Sequence, residues 1–291
     1  VIKTGGTWNP EERGIYFVAA TWEDLDLTEQ MHQQLLLAVN VIRSDGIENL
    51  RQGIADGTKV FIDSGIYDLN SKYAAARGIE VKDAVATAPE HVTGFDALWD
   101  RYVEVVRAIG DISWGYVEMD QGGRENKIRL RTKLENLGLR PIPVYHPLSD
   151  GWDYFDYLAE RYDRICLANV SHANRGERKR LLATIWERRQ KYPHLWIHVL
   201  GLTPTDHCIS YPVESMDSSA WMNPVIYGSR GAALRVALSR FDNVPLGLIY
   251  SRDVAADHNM GGSAASAFCA YDAMHLARNL KNVMAEYRRV L

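Results

Sequence analysis

The feature that most constrains this chain is a pattern repeated along much of its length: a short apolar run, a polar residue that closes it, a turn, and then a segment with apolar residues at helical spacing. The runs are Gly14 to Trp22 (GIYFVAATW), Lys59 to Asp63 (KVFID), Ile112 to Met119, Pro141 to Tyr145 (PIPVY), Arg164 to Ala168, Leu195 to Leu200 and Val213 to Met216. Their β-branched and aromatic content predicts strands buried on both faces. An eighth is expected in Pro224 to Gly228 (PVIYG) or Pro245 to Tyr250 (PLGLIY).

Helical spacing lies between the runs. Met31, Leu35, Val39 and Ile42 predict one helix, and Leu98, Tyr102, Val105 and Ile109 another. Arg124 to Gly138 is a basic helix with Gly138 as its C-cap, and Trp152, Phe155 and Leu158 mark the segment after His146. Arg175 to Lys191 is a charged helix with Leu181, Leu182 and Ile185 inward. The last helix carries Cys269, Ala273, Leu276, Leu280, Val283, Tyr287 and Leu291 on one stripe. Ser71 to Pro89 has a poor apolar pattern and is expected to be a mobile loop or lid.

Strands alternating with helices imply a parallel sheet with helical crossovers. Seven or eight units are too many for a comfortable open sheet, so the expected fold is α/β, a (β/α)8 TIM barrel forming a single domain over residues 1–291. No internal repeat or low-complexity linker divides it.

Composition narrows the function classes. With 46% hydrophobic and 24% charged residues, the chain has the makeup of a globular protein with a sizeable core. A formal charge of −4 gives no overall pull toward nucleic acid, so phosphate contact would need local basic patches. Cys166, Cys208 and Cys269 are odd in number and scattered, which suggests a reducing compartment and no disulfide scaffold. The polar start VIKTGGTWNPEERG is unlike a secretory signal, and no apolar run is long enough to span a membrane. A cytoplasmic protein is expected, and a homodimer is left open.

In a β/α barrel the reactive groups lie at the carboxyl ends of the strands. Those ends are Asp63, Asp120, His146, Asn169, Gly201 and Asp217. An aspartate after a strand often only caps the next helix or forms a turn. Three of them, each closing an apolar run, argue for a site. One carboxylate can attack a carbon while another exchanges a proton with the leaving or entering group, the double-displacement logic of retaining glycosyl chemistry.

The FIDSG run with Asp63, the strand-end Asp120, and HVLGLTPTDHCISYPVESMD ending at Asp217 resemble the tRNA-guanine transglycosylases and their DNA-acting relatives, the 7-deazaguanine DNA transglycosylases of phage. The resemblance covers residues 14–230. It implies that Asp217 is the nucleophile at C1′ of the target nucleoside and that Asp63 is the general acid/base. Asp120 would hold the guanine-like edge of a free 7-deazaguanine base, with His146, Ala168, Asn169 and Gly201 as further base-binding positions. The side chains at His146 and Leu167 to Asn169 depart from the family pattern.

The resemblance implies no cofactor. Cys208, Cys269, His207, His258 and His275 do not reproduce the family's zinc spacing, so no metal site is expected. Lacking that site and the appended RNA-binding domains, the chain looks more like the DNA-modifying branch. DNA is therefore the expected partner, with tRNA exchange of the queuosine or archaeosine type as the alternative. Arg124, Lys127, Arg175 and Arg178, on the two basic segments, are the candidate phosphate contacts, although Glu125, Glu177 and Glu187 also allow solvated helix faces. Trp152, Tyr154, Trp221 and Tyr227 are candidates for stacking, and Gly261 with Gly262 for a phosphate cradle or a helix start. A metal-dependent hydrolase is disfavoured because YFVAATW lacks histidine. A carboxylate-dependent glycoside or nucleoside hydrolase and a non-enzymatic binding barrel stay open.

Overall fold

The computed structural model of the protein describes residues 1–21, 34–203 and 210–219. Its eight strands are β1 (Ile15–Ala19), β2 (Gln34–Ala38), β3 (Lys59–Asp63), β4 (Gly115–Tyr116), β5 (Val144–Tyr145), β6 (Arg164–Leu167), β7 (Trp196–Val199) and β8 (Ser215–Ser218). The described helices are α1 (Ile47–Ala55), α2 (Ile66–Arg77), α3 (Val81–Ala86), α4 (Phe95–Ile109), α5 (Gly123–Asn136), α6 (Trp152–Arg161) and α7 (Arg175–Arg189).

All strand pairs are parallel, in the order β4-β3-β2-β1-β8-β7-β6-β5. The two ends of that row meet at a parallel bridge between Val117 and Ile142. There the Ile142 amide donates to the Tyr116 carbonyl at 2.8 Å and the Glu118 amide to the Ile142 carbonyl at 3.0 Å. The sheet is thus curled into a TIM-barrel-like fold with helices outside, as the alternation predicts.

Strand alternation sorts the side chains into two cores. Tyr16, Val18, Leu35, Leu37, Val60, Ile62, Ile165, Leu167, Ile197 and Val199 point outward against the helices. Ile15, Phe17, Leu36, Phe61, Trp114, Val144, Cys166 and Trp196 fill the barrel. Phe17, Phe61 and Trp114 pack with ring centroids 4.8–5.4 Å apart, so the middle of the barrel is solid. The end nearest the strand starts is also closed. Trp8 lies 6.0 Å from Trp196, and the Arg164 guanidinium sits over Trp8 while donating to Thr4, Gly5 and Trp114. Among the described residues the strand-start end is thus filled, and the polar strand ends gather at the opposite mouth.

Four expectations are corrected. Leu35 lies in strand β2, with Val39 and Ile42 just after it, rather than on a helix. A run of three leucines buried on both faces satisfies either periodicity, and pairing on both edges decides for a strand. Because β2 is a strand, the run ending at Asp217 is the eighth strand rather than the seventh. Ser71 to Pro89 is not an open loop: it holds the end of α2 and all of α3, pinned by the buried Gln121 side chain, which donates to the Ala84 and Thr87 carbonyls at 2.8 and 2.7 Å. Finally, regular strand pairing after Ile112 is confined to Gly115–Tyr116. The proposed strands at 224–228 and 245–250, the last helix, Trp221, Tyr227 and the Gly261-Gly262 pair lie outside the described residues, as do Cys208, Cys269, His207, His258 and His275. Among the described residues no helix is long and apolar enough to cross a membrane.

Candidate active site

The mouth is built from polar residues on or just after inward-facing strand positions. Asp217 sits within β8, in register with Phe17 of β1, and is buried. Its Oδ1 accepts two hydrogen bonds, from His198 Nε2 at 2.9 Å and from the Gly201 amide at 3.1 Å. Gly201 makes that contact from a left-handed conformation with φ 66°, which is why glycine suits this position. Among the described residues Oδ2 accepts no hydrogen bond.

Asp63 ends β3, where the turn through Ser64 and Gly65 (φ 75°) starts α2. Its Oδ2 accepts the Gly65 amide at 2.9 Å. Burial pushes its pKa up to about 7; the Gly65 amide pulls the other way, and the charges of Asp120 and Asp217 add to the rise. That coupling places all three carboxylates in one electrostatic environment.

Asp120 follows β4 and hydrogen-bonds His146 Nε2 at 2.8 Å. Burial acts against its charge, but the His146 contact and the charges of His146 and Lys127 outweigh burial and hold its pKa below the usual carboxylate value. The His146 amide is itself fixed by Asp150 at 2.8 Å. One mouth thus tunes two acids in opposite directions: Asp120 with an imidazole partner stays ionised, whereas Asp63 without one retains its proton near neutrality.

The remaining expected residues divide. Ala168 and Asn169 follow β6, between His146 and Gly201 around the rim. Asn169 is the one described non-glycine residue with positive φ, at 55°, and its Oδ1 is buried without a hydrogen-bond partner among the described residues. Arg124 begins α5 beside Asp153 and over the Tyr154 ring, and Arg175 is exposed at the start of α7. Arg178 donates to the Ser171 and Ala173 carbonyls at 2.7 and 3.1 Å, closing the loop after Asn169.

Lys127 is a correction. It is fully buried, ion-paired with Asp150 and 3.2 Å from the Val144 carbonyl, so it braces the His146 loop and cannot meet a phosphate. Tyr154 is likewise buried in the outer core rather than available for stacking.

His198 touches Asp217 directly, although it closes no run of the sequence. Strand alternation carries the signal: two residues after inward-facing Trp196, a histidine must enter the barrel. Gln121 is a second such residue; it accepts from Asn70 Nδ2 at 2.7 Å and ties α2 and α3 to the chain immediately after Asp120. Among the described residues, no group of three or more His, Cys, Asp or Glu side chains is placed to hold a metal ion.

The sequence matches no family model and no curated protein. Among solved structures it is similar to a protein of unstated function from Aquifex aeolicus VF5, at 13% identity and a TM-score of 0.40, over 73% of this chain and 86% of that one. That likeness carries no argument about activity, and the fold stands on the strand pairing above.

Proposed function

We propose that this chain is a base-exchange glycosyltransferase that replaces guanine in DNA by a 7-deazaguanine base of preQ0 type, through a covalent Asp217–nucleoside intermediate. The observation that carries the reading is the division of labour at the mouth. Asp217 has one oxygen anchored by two donors and the other unbonded among the described residues, while Asp63 in the same electrostatic environment has a pKa of about 7. A nucleophile needs the first arrangement and a proton shuttle the second.

In this reading Asp217 Oδ2 attacks C1′ as the bond to N9 of guanine breaks, and Asp63 gives its proton to the departing base. The entering base then returns a proton to Asp63 as its N9 displaces the carboxylate. Asp120 accepts from the N–H groups on the guanine-like edge, with His146 occupying one oxygen and leaving the other for the base. Asn169 offers a further buried acceptor at the rim. Arg124 and Arg175 are assigned to phosphate contact, and a duplex target must present its base flipped out.

The test is incubation with labelled guanine or preQ0 and either DNA or tRNA, followed by nucleoside mass spectrometry. Modified deoxyguanosine positions in DNA are expected, and incorporation confined to tRNA would replace the DNA assignment. Hydrolysis to an abasic site without any incorporation would overturn base exchange in favour of a nucleoside hydrolase.

A further inference from the structure

Behind Asp217 runs a hydrogen-bonded chain that the reaction as described does not use. His198 Nε2 contacts Asp217 Oδ1 at 2.9 Å, and His198 Nδ1 lies 2.5 Å from Ser215 Oγ. Ser215 and Asp217 are two residues apart on β8, so both face the barrel beside β7. The imidazole is buried and meets Phe61 edge-on at 4.6 Å and Phe17 at 6.1 Å, which leaves it little freedom to turn.

We infer that His198 is the positioning residue of the nucleophile: oriented by Ser215, it holds Asp217 Oδ1, presents Oδ2 to the sugar, and favours departure of the carboxylate in the second half of the exchange. The inference rests on the base-exchange reading for the identity of the reaction. The proton placement follows from the partners. Burial lowers the pKa of His198, so at neutral pH the ring is neutral and carries one N–H. A carboxylate only accepts, so that proton lies on Nε2, and Nδ1 accepts from the Ser215 hydroxyl.

The consequence is kinetic. In the first half the Oδ2–C1′ bond forms while the C1′–N9 pair leaves with guanine, which takes the Asp63 proton. In the second, N9 of the entering base bonds C1′, its proton passes to Asp63, and the Oδ2–C1′ pair returns to Asp217. Hydrogen bonds to an ionised acceptor are about twice as strong as those to a neutral one, so a donor on Oδ1 favours the free carboxylate over its ester. His198 therefore keeps the covalent intermediate scarce and short-lived.

The experiment measures the covalent fraction by acid quench and intact mass during exchange, in wild type, His198→Gln, and His198→Phe combined with Ser215→Ala to avoid an orphaned hydroxyl. Loss of the donor is expected to raise the ratio of adduct to free enzyme about tenfold, and Gln, whose amide nitrogen reaches nearly the same point, is expected to bring the ratio most of the way back to the wild-type value. An unchanged ratio in a Phe variant that melts like wild type would overturn the inference. A second measurement needs no substrate: imidazole nitrogen NMR of the wild-type protein should show His198 protonated on Nε2 and bare on Nδ1. A proton on Nδ1 would overturn the inference even if exchange is confirmed. Absence of any adduct in every variant, with the expected ring state, would count against base exchange while leaving the positioning of Asp217 supported.

Discussion

Among single residues, Asp63 sets the pH dependence of both stability and activity. A carboxyl whose folded pKa is raised from 3.8 to about 7 stabilises the fold while it is protonated; that contribution is complete below pH 3.8 and lost as pH climbs through about 7. Replacing Asp63 by Asn should therefore raise the melting temperature at pH 8 while leaving it nearly unchanged at pH 4. The same substitution should lower the exchange rate by roughly 10²–10⁴, and wild-type exchange should decline above about pH 7 as the proton donor is lost. A gain in stability paired with a loss of activity marks a group held in an unfavourable state for its chemistry. Gly201 makes the opposite case. At φ 66° an added Cβ is strained, so Gly201→Ala should cost about 1–2 kcal/mol in chemical denaturation and weaken exchange by shifting the amide that holds Asp217.

At the scale of elements, the strands that carry the acids are braced by two similar buried pairs. Glu118 accepts the Val144 amide of the neighbouring strand at 2.7 Å and pairs with Arg131 of α5. Glu214 accepts the Ile197 amide at 2.9 Å and pairs with Arg189 of α7. Each pair ties two strands and a helix together close to an acid of the mouth, Glu118 two residues before Asp120 and Glu214 three before Asp217. Arg131→Met should destabilise the protein by about 3–5 kcal/mol because it removes the cation paired with Glu118, a carboxyl whose charge burial already disfavours. A Glu118→Gln change on that background should recover part of the loss, as thermal unfolding of the single and double variants would show. These braces were hidden in the sequence, since a Glu within an apolar run looks like an interruption until its partner helix is known. What was legible were the polar residues that follow the apolar runs: Asp63 ends β3 and Asp120 and His146 come after β4 and β5, whereas Asp217, expected just past its strand, lies inside β8. Strand β2 was less legible because the leucines of QLLLA fit both periods, although Asn40 closes its run.

At the scale of the whole molecule, the two ends of the barrel do different work. Residues 1–13 close the floor through Trp8, Glu12 and the carbonyl that Arg164 grips, whereas the mouth gathers charge that burial disfavours. Deleting residues 1–13 should expose Trp114 and Trp196, visible as a red shift of tryptophan fluorescence together with a lower melting temperature. The chemistry of the mouth, however, is open to direct trapping of its intermediate. The protein is mixed with a guanine-containing oligonucleotide, quenched in acid, digested and mapped by mass spectrometry. A nucleoside-linked adduct is expected on the peptide bearing Asp217 and absent from Asp217→Asn; an adduct on another residue, or full base exchange by Asp217→Asn, would contradict Asp217 as the nucleophile.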